Sequence, residues 1–159
     1  VTPGKRYRIR YIDLKIFLAL NKRDKRIKLK RKSSKYKIAI IEPTVITRKN
    51  YIEWLKGDYD IECVSNLIKP LRELKKISPD IILMDINLSE DKDYFYIIDE
   101  IKKEIKLRTA LIIIITKKYN EDDVVSGLEK GACDYVKKPV GQNELKARIK
   151  NLLRFFIDI

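Results

Sequence analysis

The sequence predicts a doubly wound α/β domain, a five-stranded parallel sheet covered by helices on both faces. Three observations predict it. From Tyr36 onward, short apolar runs alternate with helical periods five times over. The main runs are apolar on consecutive residues rather than alternate ones, the mark of strands buried on both faces. At 159 residues and 45% hydrophobic content, the chain has the material for one packed core.

The elements follow in order. Tyr36–Ile41 (YKIAII) reads as a strand, and Val45–Lys56 as a helix with Tyr51, Ile52 and Leu55 on one face. Asp60–Val64 is strand-like. Pro70–Ile77 suits a short helix with proline in its first turn and Leu71 and Leu74 facing inward. Asp80–Asp85 (DIILMD) is an apolar run closed by acids, and Tyr94, Ile97, Ile98, Ile101 and Ile105 keep a helical period. Ala110–Thr116 (ALIIIIT) is the most β-branched run in the chain. Glu121–Lys130 is a helix whose first turn carries Glu121, Asp122 and Asp123, where the helix dipole favours anions. Gly131 stands where a C-terminal cap glycine belongs. Cys133–Lys137 is a short strand, and Gln142–Phe156 a last helix striped by Leu145, Ile149, Leu152, Leu153 and Phe156. No internal repeat is visible.

Composition removes several function classes. The chain has no histidine, which excludes His-based general base catalysis, Ser–His–Asp sets and imidazole-ligated zinc. Cys63 and Cys133 are too few for a disulfide framework or a four-thiolate metal site, and they suit a reducing cytoplasmic setting. The longest apolar run, Ala110 to Ile115, is far short of the ~20 residues of a membrane span, so an integral membrane protein is not expected. No signal-peptide pattern opens the chain, which begins on Val1 as a processed form or a piece of a longer chain would.

Charge divides the chain in two. Residues 1–35 hold fourteen Lys/Arg against two Asp, a net of +12, whereas the rest nets +1. The basic block from Lys22 to Lys35 repels itself and is expected to be extended. It reads either as a solvated arm or linker, or as a phosphate-binding arm with nonspecific affinity for polyanions such as nucleic acid or an anionic membrane surface. Ahead of it, Tyr7, Ile9 and Tyr11 alternate as in a strand, while Ile12 to Leu20 fits a short amphipathic helix; the two readings stand side by side.

In a doubly wound sheet, ligands bind outside the C-terminal ends of the strands, near the point where strand order reverses. The residues that close the strands are Glu42, Asp85, Thr116 and Lys138. No glycine-rich phosphate loop follows the first strand, so the nucleotide-binding reading lacks its main feature. Two carboxylates, a hydroxyl and an ammonium suit transient holding of a phosphoryl group. Asp85 would attack, Thr116 and Lys138 would take the phosphoryl oxygens, and Glu42 would help hold a hard divalent cation such as Mg²⁺.

Residues 36–156 resemble a receiver domain of the response regulators of two-component signalling. PDIILMD (Pro79–Asp85), IIIIT (Ile112–Thr116) and GACDYVKKP (Gly131–Pro139) carry the resemblance, the last most specifically. It implies a flavodoxin-like fold with strand order 2-1-3-4-5. It further implies Asp85 as phosphoacceptor from a histidine kinase or phosphotransfer protein, Thr116 and Lys138 as pocket residues, and Tyr135 as the aromatic switch. With that order, Cys63 and Cys133 lie on opposite edges about 19 Å apart, too far for a disulfide. The implied division is a basic arm at 1–35, a receiver at 36–156 and a tail at 157–159.

The departures from the family pattern lie around the pocket. Two adjacent acids usually follow strand one; here the pair is Glu42-Pro43, which removes one charge and one oxygen ligand. Glu42, Asp85 and the Asn87 carbonyl remain as the metal set, so Mg²⁺ is expected to bind weakly. INLSEDKDY after Asp85 places Ser89 where proline is usual, and Lys117 follows Thr116 where a small residue is usual, so that it would crowd or neutralise the pocket. The expected function is therefore a non-enzymatic receiver in a phosphorelay, signalling through helix four, strand five and helix five. The alternative is a pseudo-receiver that acts as an interaction module without phosphoryl chemistry. On the signalling face, residues 121–156, Glu121, Asp122 and Asp123 oppose Lys146, Arg148, Lys150 and Arg154, which suits a homodimer. No output domain is legible before Ile159, so output is expected in a partner, in residues 1–35 or in further chain.

Overall fold

The structure, a computed structural model, describes residues 35–88 and 95–157. Five strands form one parallel sheet in the order β2-β1-β3-β4-β5. They are β1 (Lys37–Ile41), β2 (Asp60–Cys63), β3 (Ile81–Met84), β4 (Leu111–Thr116) and β5 (Asp134–Lys137). Between and after them run α1 (Val45–Leu55), α2 (Leu71–Ile77), α3 (Tyr96–Lys103), α4 (Glu121–Lys130) and α5 (Gln142–Ile157). The expected fold class and strand order are both present.

The side-chain period of two sorts the central strands into two cores. Ala39, Ile41, Ile82, Met84, Ile112 and Ile114 point to the face covered by Leu74 and Ile77 of α2 and Ile97, Ile98 and Ile101 of α3. Their neighbours Ile38, Ile40, Ile81, Leu83, Ile113 and Ile115 point to the other face, under Tyr51 and Leu55 of α1 and Leu145, Ile149 and Leu153 of α5. Every residue of β3 and β4 is buried, which is why their sequences show no polar alternation. The edge strand β2 is the exception: Asp60 and Glu62 are exposed there, and such charges discourage pairing with another chain.

The helix ends follow their capping chemistry. The Asn120 side chain accepts the Asp123 N–H at 2.9 Å and starts α4, and Gly131 ends it in the left-handed region at φ 116°. The loop from β2 to α2 is pinned by Glu73, whose carboxylate accepts the Ser65 and Asn66 amides and the Ser65 hydroxyl. Those bonds hold its carboxyl below the usual carboxylate range.

Two expectations change. The apolar period running to Ile105 does not continue as helix: α3 stops at Lys103, Glu104 turns extended, and Ile105 is 75% exposed. The core position is filled by Leu107, which is fully buried, because the chain turns back through Leu107 N–H to the Glu104 carbonyl (3.0 Å). Lys102 fixes that turn by donating to the Ala110 carbonyl at 2.9 Å. The last strand pairs from Asp134 rather than Cys133, although the Cys133 amide still reaches the Ile112 carbonyl at 2.7 Å. Cys63 and Cys133 are both free, at opposite sides of the sheet.

Residues 1–34 of the arm expected at 1–35, Tyr94 with its place in the helical period, Ser89, and the last two tail residues lie outside the described residues, as does the Phe156 side chain. Among the described residues, no helix is long and apolar enough to cross a membrane.

Candidate functional site

Parallel register brings the strand ends together. Ile41 pairs with Met84, and Thr116 with Lys137, so Glu42, Asp85, Thr116 and Lys138 emerge along one edge of the sheet. The Asp85 amide still donates to Ile41 O (2.9 Å) and the Lys138 amide to Thr116 O (2.9 Å), which fixes each backbone where its strand ends.

The expected residues meet in a buried cluster. Glu42 is 2% exposed, Asp85 5%, and Thr116 fully buried, the buried polar and charged residues among those described. The Lys138 side chain, 9% exposed, places its ammonium 2.6 Å from Glu42 Oε2 and 2.5 Å from Asp85 Oδ2. Each carboxylate's other oxygen accepts the amide two residues on: Thr44 N–H to Glu42 Oε1 at 2.9 Å, and Asn87 N–H to Asp85 Oδ1 at 2.8 Å. All four carboxylate oxygens are thus satisfied, as burial requires. The Thr116 hydroxyl oxygen accepts the Lys118 N–H at 3.3 Å. Two negative charges and one positive leave the cluster at −1.

Two residues of the site have no legible signal in the sequence. Arg48, one turn into α1, donates to the Glu42 carbonyl at 2.7 Å and ties that helix to the acidic corner. Tyr51, buried in α1, has its phenol pushed well above the usual range by burial, with the Glu42 and Asp85 charges adding to the effect. Both lie on α1, three residues apart, and only the placement of α1 against the sheet shows their proximity to the acids.

Tyr135 is turned inward. Its ring is buried against Gly127, where an added Cβ would lie 2.8 Å from both Ile114 Cδ1 and Tyr135 Cδ2, so the close approach of α4 requires glycine. Its hydroxyl donates to the Lys118 carbonyl at 2.6 Å, and Tyr119 packs edge-on at 5.7 Å between ring centroids. Lys117, expected to crowd or neutralise the pocket, is exposed instead; the ammonium inside the site is that of Lys138. On the outer face, Arg148 is engaged within its own chain by Glu144 (2.8 Å) and Asp134 (2.9 Å), and Asp123 by Lys118 (3.3 Å), while Asp122, Lys150 and Arg154 are exposed. Exposed Val125, Leu128 and Tyr119 lie on the α4 side of that face.

The donor set suits a small hard cation in kind, since two carboxylates and the Asn87 backbone supply only oxygen. It is short in number: no group of three or more carboxylate, thiolate or imidazole ligands exists among the described residues, and Pro43 supplies none.

A buried carboxylate at the end of the central strand, an ammonium on it from just past the last strand and a hydroxyl on the strand between them meet at one end of a parallel 2-1-3-4-5 sheet. Residues 38–150 match the response regulator receiver domain, and the chain belongs to that family. Solved structures agree. The signal receiver domain of a protein described as a LuxO repressor of Vibrio parahaemolyticus superposes with a TM-score of 0.69 at 23% identity, covering 78% of this chain and 95% of that one. The signal receiver domain of a signal transduction histidine kinase from Syntrophus aciditrophicus gives 0.64 at 30% identity, covering 75% and 90%. The Mn²⁺-bound form of the response regulator Rcp1 gives 0.60 at 23% identity, covering 76% and 94%. Receiver domains are in general non-enzymatic signalling modules that commonly bind Mg²⁺ and interact with histidine kinases or phosphotransfer proteins.

Proposed function

We propose that this domain accepts a phosphoryl group on Asp85 from a histidine kinase or phosphotransfer protein and signals through α4, β5 and α5. The observation that carries this reading is the buried contact of Lys138 with Asp85 and Glu42, at 2.5 and 2.6 Å. A carboxylate oxygen of Asp85 attacks the phosphorus of a phosphohistidine, forming an O–P bond as the P–N bond breaks. The bonding pair leaves on the imidazole nitrogen, which takes a proton from solvent. The Lys138 ammonium and the Thr116 hydroxyl donate to the phosphoryl oxygens, where charge builds in the transition state. Mg²⁺, held weakly by Glu42, Asp85 and the Asn87 carbonyl, would neutralise charge on the transferring group.

Tyr135 is the element that couples the pocket to the outer face: its hydroxyl sits on the segment after Thr116 and its ring under Gly127 of α4. The apolar side chains exposed on α4 and the free charges Asp122, Lys150 and Arg154 make residues 121–156 the surface for a second copy or another partner. Residues 1–35 form a separate basic arm with nonspecific polyanion affinity, and the receiver proper spans 36–156.

The test is incubation with a small phosphodonor and Mg²⁺, followed by intact-mass measurement. One labile adduct is expected, lost in Asp85→Asn. An adduct that survives this substitution contradicts the assignment. A pseudo-receiver that keeps the fold for interaction alone is the second reading, favoured by the full satisfaction of all four carboxylate oxygens and by Pro43; no adduct under any condition selects it.

A further inference from the structure

The end of the sheet opposite Asp85 and Lys138 carries a surface of another kind. In a parallel sheet the segments that lead into the strands all lie at that end. They include the chain before β1, the turn from α2 to β3 and the turn from α3 to β4. The last of these carries Ile105, which is 75% exposed. The turn itself holds it out. Leu107 fills the core position, and the amides of Leu107 and Arg108 both donate to the Glu104 carbonyl, at 3.0 and 2.8 Å. Lys102 closes the turn through the Ala110 carbonyl at 2.9 Å, so Ile105 cannot enter the core without undoing these bonds.

Cations surround this apolar tip. Lys103, Lys106 and Arg108 on the same turn are exposed, as is Lys76 at the end of α2. Two acids of the region are already engaged, Glu104 by Lys75 at 2.6 Å and Asp99 by Lys130 at 2.6 Å. The chain also enters β1 from this end, where Lys35 donates to the Gly57 carbonyl at 2.8 Å. Residues 1–35, with their net +12, are therefore joined to the domain on the same side as the turn.

We propose that this end of the domain docks on an anionic lipid bilayer, with Ile105 inserted among the headgroups and the surrounding lysines on the lipid anions. An aliphatic side chain gains by leaving water for the acyl boundary and gains nothing among the phosphates of a duplex. That difference favours a bilayer over nucleic acid as the partner of the turn. The basic segment supplies long-range attraction that salt screens, and Ile105 a short-range apolar contact that salt does not screen. One weak anchor gives marginal membrane binding, whereas an apolar and a basic signal on one side reinforce each other. Docked in this way, the strand ends with Asp85 and Lys138 face away from the bilayer. The inference does not depend on the phosphoryl chemistry.

The experiment is co-sedimentation of the full chain with phosphatidylcholine vesicles, with and without about 30% phosphatidylserine, beside a titration with duplex DNA. Wild type is expected to bind the anionic vesicles and not the neutral ones. Ile105→Ser should weaken vesicle binding about tenfold, the order expected when one aliphatic contact is lost. Its melting temperature and DNA affinity should stay those of the wild type. Replacing Lys103 and Lys106 by Gln should weaken vesicle binding about fivefold per charge. In Ile105→Trp, acyl chains labelled with bromine should quench emission beyond anything that Trp54 shows in the wild type. A wild type that binds neither vesicle, or both alike, overturns the proposal. So does an Ile105→Ser protein that binds anionic vesicles as the wild type does. Equal loss of vesicle and DNA affinity in Ile105→Ser overturns it as well, and would make the turn a contact for nucleic acid.

Discussion

At position 43 a proline ring stands beside Glu42 where a second carboxylate would add charge to a pocket whose buried acids, among the described residues, are Glu42 and Asp85. Restoring it as Pro43→Asp should tighten Mg²⁺ binding by about tenfold or more, since one more hard oxygen ligand and one more negative charge are gained at short range. Calorimetry on the two proteins decides this, and equal affinities would contradict it. Tyr51 offers a second test at this scale. Burial holds its phenol protonated in the folded chain, while the unfolded chain ionises near the ordinary value of 10.0. The unfolded state therefore binds fewer protons above that pH, and stability falls as pH rises past it. Denaturant unfolding across the alkaline range should show a shallower decline in Tyr51→Phe than in wild type. An identical slope would mean that the phenol does not contribute.

Among the elements, the end of α3 separates what sequence pattern can show from what packing decides. The period through Ile97, Ile98 and Ile101 locates the helix, and its extension to Ile105 fails because the chain turns at Glu104 and buries Leu107 in its stead. Leu107→Ala should cost about 2–5 kcal/mol, as core truncations do, whereas Ile105→Lys should stay within about 0.5 kcal/mol. Chemical denaturation measures both, and the reverse order would contradict the turn. The central strands were legible because burial on both faces leaves uninterrupted apolar runs. The four site residues were legible because a parallel sheet delivers strand ends to one place. Arg48 and the turn at Glu104 were not, since each depends on how one element lies against another. Lys117 shows the same limit: adjacency to Thr116 in sequence suggested the pocket, and the chain direction after β4 leads it out to solvent.

On the scale of the whole molecule, the described strands form one open sheet with β2 and β5 at its edges. Its five strands pair with one another, and its two cores are made from residues within 36–153. Residues 1–35 carry +12 of the chain's +13 net charge. Affinity for duplex DNA should therefore reside in that segment, fall steeply with salt as counterions are released, and be indifferent to sequence. A salt series comparing residues 1–159 with 36–159 measures it. Loss of binding with an unchanged melting temperature is expected. A truncated protein that unfolds, or one that retains the affinity, would contradict the division.

The central claim is that Asp85 carries the phosphoryl group, and borohydride trapping tests it at the level of a single residue. Reduction of an acyl phosphate converts the aspartyl side chain to that of homoserine, which tandem mass spectrometry locates in a peptide. After exposure to a phosphodonor, homoserine is expected at position 85 and at no other. Homoserine at a different acid, or none while an intact-mass adduct is present, would contradict it.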